Sequence, residues 1–172
     1  MKPASSIARP IAALGPSVRL PAQDLAQIRF IVAATNMHAN ARRKALLLSG
    51  RDAAPAAEAI AKELRRNLYR VDLAAVVSKF IGEPEKNLRR IFAAAAANGA
   101  VLLFDEADAL FGKRTDVKDS HDRFANAQLA LLLQRAERHR GLVMLASKPR
   151  LTLPMILQRR FAVYKFPPNG SI

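Results

Sequence analysis

The chain has 172 residues and no cysteine, and 28 lysines and arginines against 14 aspartates and glutamates give it a net charge of +14. This length suits one domain, and a hydrophobic fraction of 51% excludes a disordered chain. No apolar run reaches the roughly 18 residues of a membrane-spanning helix, and without cysteine there is no disulfide framework or thiolate metal site. We expect a cytoplasmic protein without a membrane partner.

Residues 1–20 are predicted to be a flexible basic arm, because they carry three cationic side chains and no acid. Arg9 and Pro10 interrupt the apolar stretch that a secretory signal would need, and the composition matches an organellar transit peptide only weakly. The predicted core therefore runs over 21–168, and 169–172 are expected to form a tail.

Short apolar runs alternate with helical patterns along the core. Helices are predicted over 22–40, 54–64, 84–97 and 121–138, and strands over 45–48, 68–72, 101–104, 142–145 and 161–166. Asp52 is expected at the N-cap of the second helix, and Asn98 with Gly99 at the end of the third. This alternation predicts an α/β fold, a doubly wound parallel sheet of about five strands flanked by helices.

The strongest local signal is a buried strand, 101–104, followed directly by Asp105 and Glu106. Open α/β sheets bind ligands at the carboxyl ends of their strands, where these two acids are delivered. In nucleotide hydrolases such a pair binds Mg²⁺ with the first acid and polarises the attacking water with the second. The same pattern also fits a buried strand followed by a helix with acids in its first turn, and it favours neither reading by itself.

Three segments in order resemble AAA+ ATPases over nearly the whole core. Residues 101–112 (VLLFDEADALFG) resemble the Walker B strand, and 112–123 (GKRTDVKDSHDR) resemble the loop that follows it. Residues 78–89 are similar to the pore-loop region, where an aromatic–aliphatic–glycine triplet precedes a helix. That triplet is Phe80, Ile81 and Gly82.

The resemblance implies a P-loop NTPase-like core, the AAA+ large subdomain, with ATP and Mg²⁺ as its ligands. Asp105 would bind the metal, and Glu106 would be the catalytic residue that polarises the attacking water. It also implies a homo-oligomer, or a hetero-oligomer with active AAA+ relatives, in which Phe80 projects into a central pore. Within the family, the chain is most similar to the small AAA+ proteins associated with contractile phage-tail-like injection systems.

The phosphate loop departs from the family pattern G-x-x-x-x-G-K-[ST]. Gly50 is followed by Arg51, Asp52, two alanines and Pro55, so the second glycine, the lysine, the hydroxyl residue and three residues of length are missing. A shortened loop cannot wrap a phosphate, and Asp52 brings like charge. Arg51 could replace the lysine only in part, since a guanidinium has different geometry. Nucleotide binding by Gly50, Arg51 and Asp52 is therefore expected to be weak or lost.

Two further positions bear on activity. Lys148 stands where the family typically carries the asparagine that positions water, and it is expected to reach toward phosphate or Asp105. Arg159 and Arg160 stand where the family carries arginine fingers, which act on a neighbour's γ-phosphate. Each could equally be a solvated basic residue beside a strand. After Phe166 the chain reads as the start of a linker, and we expect no helical lid.

The sequence thus favours a degenerate AAA+ subunit, a pseudo-ATPase or assembly component with little or no ATP hydrolysis. One alternative is a residual ATPase that binds nucleotide through Arg51 and helix N–H groups. Another is a basic module that binds nucleic acid or another polyanion, although no sequence motif supports it. Three histidines without metal-ligand spacing, and no Ser/His/Asp arrangement, leave no other chemistry indicated.

Overall fold

Strands and helices alternate through most of the chain, as the apolar pattern predicts. The structure, a computed structural model, describes residues 8–11, 20–37, 45–77, 83–110, 120–148 and 155–166. The elements are β1 (Ala8–Ile11), α1 (Ala22–Met37), β2 (Ala45–Ser49), α2 (Ala53–Glu63), β3 (Leu68–Asp72), α3 (Leu73–Val77), α4 (Pro84–Asn98), β4 (Val101–Asp105), a 3-10 turn (Ala107–Leu110), α5 (Ser120–Arg138), β5 (Val143–Ser147), α6 (Met155–Arg160) and β6 (Ala162–Lys165).

All six described strands form one sheet in the order β1–β3–β4–β5–β2–β6. The five strands from β3 to β6 in that order are parallel, which confirms the predicted fold class. A sixth strand, β1, pairs antiparallel with β3 and lies inside the segment expected to be a flexible arm. Its Pro10, which pairs with Tyr69, lacks an N–H and is tolerated because β1 is an edge strand.

The three central strands, β2, β4 and β5, are buried on both faces, because helices cover each side of the sheet. Leu102 and Phe104 of β4 belong to the core cluster beneath α3, α4 and α5, and the Phe104 ring lies 5.6 Å from that of Phe92. Val101 and Leu103 belong to the opposite cluster, beneath α1 and α2. The four apolar side chains of β4 are fully buried, as an apolar strand at the centre of a sheet requires.

Local signals fix the ends of α4. Pro84 begins the helix, where its missing N–H costs little, and Gly99 ends it in the left-handed conformation at φ 60°. At the end of α2 the left-handed residue is Arg65, at φ 53°, although glycine is favoured there. No helix within the described ranges is long and apolar enough to cross a membrane.

Gly50 joins β2 to the turn before α2 in a conformation that other residues rarely adopt, φ 136°. Its N–H donates to the carbonyl of Ser147 (3.1 Å). A Cβ atom at Gly50 would lie 2.3 Å from the backbone oxygen of Phe166, just beyond β6. A glycine is therefore required for the close approach of two backbone segments.

We expect Gly50→Ala to lower the free energy of unfolding by about 3 kcal/mol, because strain and backbone overlap add. Gly99→Ala is the matched control, since Gly99 also has positive φ but a Cβ there would meet only the Arg66 side chain at 3.6 Å. Its expected cost is about 1 kcal/mol. Urea denaturation of both variants measures the difference, and equal costs would contradict the role assigned to the Phe166 contact.

Candidate functional site

A cavity of about 520 Å³ lies at the carboxyl ends of β2, β4 and β5. This is the edge at which open parallel sheets bind ligands, since the strand ends converge there and the helices begin. The residues around it are Gly50, Arg51, Ala53, Ala54, Asp105, Glu106, Asp108, Ala146, Ser147 and Lys148. The predicted binding residue Asp52 belongs to the turn beside it and is half-buried.

The turn between β2 and α2 consists of three residues, Gly50, Arg51 and Asp52. Two backbone N–H groups in and next to the turn already have acceptors. The N–H of Gly50 donates to the carbonyl of Ser147, and the N–H of Ala53, the first residue of α2, donates to the carbonyl of Gly50 (3.3 Å). Asp52 occupies the predicted N-cap position, but its side chain makes no capping hydrogen bond. The Arg51 side chain is exposed at the mouth of the cavity.

The Asp105 carboxylate is held by a cation from the neighbouring strand. One of its oxygens, Oδ2, accepts hydrogen bonds from Arg70 Nε (3.0 Å) and Nη2, and Arg70 Nη1 also lies 3.7 Å from Glu58 Oε1 on α2. Oδ1 accepts from the N–H of Glu106 (2.9 Å). Both oxygens of the predicted metal ligand therefore have partners within the chain.

Glu106 turns the chain away from β4 with a left-handed backbone, φ 57°, and half of its side chain is exposed. Lys148 Nζ lies 3.4 Å from its Oε2. The sequence predicts that Lys148 reaches toward phosphate or Asp105. It pairs with Glu106 instead, because Arg70 already holds Asp105.

Lys148 has a fixed backbone and an exposed side chain. Its N–H donates to both oxygens of Asp108 (3.1 and 3.3 Å), and its carbonyl accepts from Ser49 Oγ (3.4 Å). These contacts join the end of β5 to the 3-10 turn and to β2. The ammonium group is thus delivered to a defined part of the cavity, beside the predicted catalytic glutamate.

The charges around the cavity do not favour an anion. Two cationic side chains, Arg51 and Lys148, face three carboxylates, those of Asp105, Glu106 and Asp108. Mg²⁺ bound with a nucleotide usually takes one or two carboxylates and the phosphates. In the described arrangement Arg70 and Lys148 already neutralise the two candidate carboxylates, and no group of three metal-ligating side chains occurs among the described residues. The two carboxylates that a nucleotide-bound Mg²⁺ would need are therefore already engaged by cations of the chain.

The remaining predicted residues lie elsewhere. Arg159 and Arg160 end α6, before the amino end of β6, at the opposite edge of the sheet from the cavity. Arg160 is paired with Glu137 of α5, whereas Arg159 is exposed and makes no ion pair with any described residue. The pore-loop triplet, Phe80, Ile81 and Gly82, lies outside the described residues.

Sequence reasoning missed Arg70, Glu58, Asp108 and Ser49 as site residues. The sequence held a signal for Arg70, because it is the only charged residue among the first four residues of β3. In the structure Arg70 is the register partner of Leu103 in β4. Since side chains alternate along strands, Arg70 shares a face with Asp105, two residues beyond Leu103. No local signal identifies Ser49, whose hydroxyl acts only through the backbone of Lys148.

Two further carboxyl groups, those of Asp24 and Asp52, lie near each other where α1 meets the turn between β2 and α2. Asp24 of α1 is 2% exposed, and its Oδ2 is buried with no hydrogen-bond partner. The Oδ2 atom of Asp52 is also buried without a partner. Burial raises the pKa of the Asp24 carboxyl, and the nearby Asp52 carboxylate raises it further.

The chain matches a family model over most of this fold. The model, described as the ATPase family associated with various cellular activities (AAA), matches residues 55–168. The match begins beyond the short turn at 50–52 and includes the strand that carries Asp105 and Glu106.

Several curated proteins are similar to the chain over parts of its length. An uncharacterized AAA family ATPase of Sinorhizobium fredii is 32% identical over 61% of this chain and 32% of its own length. The ATPase family gene 2 protein of Schizosaccharomyces pombe is 41% identical over 43% of this chain and 9% of its own length. The cell division cycle protein 48 homolog of Archaeoglobus fulgidus is 32% identical over 55% of this chain and 13% of its own length. The chain therefore spans at most about a third of these three relatives.

We expect Asp24→Asn to increase the free energy of unfolding at neutral pH, because it removes a buried charge beside Asp52. A carboxyl whose pKa is raised on folding contributes stability that is fully present below its unfolded value of 3.8 and is lost as the pH rises through the folded pKa. The gain of the variant over the wild type should therefore be small near pH 3.5 and grow above it.

Thermal unfolding between pH 3.5 and 8 measures this dependence, with Glu85→Gln, an exposed carboxylate of α4, as the control. A gain that does not change with pH, or one that Glu85→Gln reproduces, would show that the Asp24 charge is not its source.

Proposed function

The chain belongs to the AAA family of ATPases, and from that premise we propose that it is a member that does not hydrolyse ATP alone and acts as a subunit of an assembly. The observation that carries the proposal is the three-residue turn, Gly50, Arg51 and Asp52, between β2 and α2. An AAA protein needs a longer loop at this place to surround the β-phosphate with N–H groups.

The backbone of the turn supports loss of phosphate binding. The N–H groups of Gly50 and Ala53 donate to Ser147 and Gly50, so neither points freely into the cavity. Pro55, in the first turn of α2, has no N–H to offer. The Asp52 carboxyl does not line the cavity and lies near Asp24 instead, so it supplies no group to a phosphate there.

The state of the two strand-end acids supports the same proposal. A glutamate that polarises water must accept a proton or hydrogen bond from that water, but Glu106 faces the Lys148 ammonium group. Arg70 likewise holds one of the two Asp105 oxygens that would be needed near a metal. These residues fit an internally neutralised site better than a residual ATPase.

As a subunit, the chain would act through neighbours. We propose that it assembles with itself or with active AAA relatives, and that Arg159 supplies a cation to a neighbour's nucleotide. Arg159 is the better candidate of the adjacent pair because Glu137 holds Arg160. We further propose that the chain is located in the cytoplasm and that it takes part in a contractile injection system.

We expect no measurable ATP hydrolysis by the purified chain, and no saturable heat when Mg·ATP is titrated to about 1 mM, the weak end of ordinary KM values. The physical reason is that the turn cannot supply the donors that phosphate binding needs. Phosphate release and isothermal calorimetry are the two measurements.

Glu106→Gln and Lys148→Ala are the paired variants for this experiment. Turnover in the ordinary range that Glu106→Gln abolishes would overturn the proposal, and its loss in Lys148→Ala would identify Lys148 as a substitute for the missing lysine. Hydrolysis that neither variant changes indicates a contaminating enzyme.

In a co-assembly with an active AAA relative from the same source, we expect Arg159→Ala to lower the relative's ATPase rate. Transition-state arginines are worth roughly 10³–10⁵ in rate, so even one defective site per ring is measurable. Arg160→Ala is the matched control and should have the smaller effect, since its partner is Glu137 of the same chain. Equal effects, or a chain that stays monomeric with every relative, would count against the proposed role.

A further inference from the structure

Four exposed arginines lie together at the amino-end edge of the sheet, opposite the cavity. Arg65 and Arg66 lie in the connection between α2 and β3, Arg138 ends α5, and Arg140 lies between α5 and β5. We call these four residues the basic edge.

Backbone contacts bring the two halves of the basic edge together. The N–H of Val101 donates to the carbonyl of Asn67 (2.8 Å), and that of Leu102 donates to the carbonyl of Leu142 (3.0 Å). The amino end of β4 therefore lies between the two arginine pairs. Two strand spacings separate β3 from β5, so the backbones of the strands that follow the two pairs lie about 10 Å apart.

The basic edge has a clear excess of positive charge. The nearest described acids along the chain are Glu63 and Glu137, and Arg160 already holds Glu137. Arg66 also donates to the carbonyl of Gly99 (3.0 Å), which orients its guanidinium across the end of α4. Cations at helix carboxyl ends stabilise the helix dipole, but one charge per helix end suffices for that purpose.

Arg65 provides an independent observation, since it has a left-handed backbone at φ 53° just beyond the end of α2. Its N–H donates to the carbonyl of Lys62, and that of Arg66 donates to Ala61, which is the usual arrangement around a terminal glycine. A long charged side chain therefore occupies a position that glycine would fill with less strain. Strain of this kind is typical of a residue needed for something other than folding.

We propose that the basic edge binds the sugar–phosphate backbone of nucleic acid, independently of base sequence. Guanidinium groups match phosphate geometry with two parallel hydrogen bonds, and four arginines at one edge of the sheet fit a linear polyanion. Over about 10 Å, one strand of a duplex presents about three phosphates. The described residues of the edge include no aromatic side chain exposed for stacking on bases, so the contacts are to phosphates.

An anionic membrane surface fits the basic edge less well than nucleic acid does. Membrane binding by a folded surface combines cations with apolar side chains that enter the lipid. Among the described residues, the large apolar side chains that are exposed belong to α1 and to the start of α6, not to the basic edge: Leu25, Phe30 and Met155.

The test compares two variants with the same net charge. One carries glutamine at Arg65, Arg66, Arg138 and Arg140. The control carries glutamine at four exposed cations of α1 and α4: Arg29, Lys86, Arg89 and Arg90. Both lose four positive charges from the net charge of +14, so a difference between them reports position rather than total charge. Circular dichroism and thermal unfolding establish that each variant is folded.

Fluorescence anisotropy of labelled 20-nucleotide single-stranded DNA and RNA, and of a 20-base-pair duplex, measures binding between 50 and 200 mM salt. We expect the basic-edge variant to bind at least about tenfold more weakly than the wild type. The slope of log affinity against log salt concentration should become shallower by about 3, because each lost phosphate contact removes about 0.7–0.9 from the slope. The control variant should retain most of the affinity. Single-stranded and duplex probes distinguish the two sources of the same backbone chemistry.

Equal losses in the two variants would overturn the proposal, because binding would then follow net charge alone. So would vesicles with 30% phosphatidylserine binding the wild type more tightly than every oligonucleotide. Arg65→Gly separates binding from folding: it should raise the melting temperature by removing strain and still weaken oligonucleotide binding. A variant that is more stable and binds as well as the wild type would exclude Arg65 from the site. These readouts do not depend on the ATP experiments, since the cavity lies at the other edge.

Discussion

Burial of the central parallel strands, β2, β4 and β5, on both faces is the constraint on which the rest of the structure depends. A strand such as β4, with four fully buried apolar side chains, can place polar groups only at its ends. Asp105 and Glu106 therefore meet Lys148 at one edge of the sheet, and the basic edge forms at the other. The helices that cover the faces begin beside the cavity and end beside the arginines, so the fold itself separates the two sets of charges.

The cavity balances the charges of its acids within the chain. Arg70 holds Asp105 and Lys148 faces Glu106, so each acid has a cationic partner without metal or nucleotide. Exposed ion pairs of this kind contribute little to stability, generally under about 1 kcal/mol. They therefore influence which ligands the cavity accepts more than whether the chain folds. A AAA subunit with such a cavity can still offer its outer surfaces to neighbours.

Much of the fold could be predicted from the sequence, because long apolar periods and strong stop signals such as Gly99 act locally. The pairing of Lys148 with Glu106 could not be predicted, because it depends on whether a cation of a neighbouring strand already pairs with Asp105 or with Glu106. Arg70 of β3, which lies 35 residues before Asp105, pairs with Asp105 and leaves Glu106 to Lys148. The register of β3 and β4 that brings Arg70 to Asp105 cannot be predicted from the local pattern of either strand. The strand at Ala8–Ile11 was missed for a similar reason: its partner is distant, and Pro10 argues against any strand except an edge strand.

The long sequence separation between β1 and its partner β3 has a consequence for the order of folding. Ala8 pairs with Val71, so β1 can dock only after β3 has joined the sheet and a loop of about 60 residues has closed. Contacts between elements near in sequence form with a smaller loss of chain entropy, and β1 has only four residues with which to offset its own. It should be the last strand to pair and the first to separate. Its amide hydrogens would then exchange with solvent well before those of β4, which lies two strands away in the same sheet.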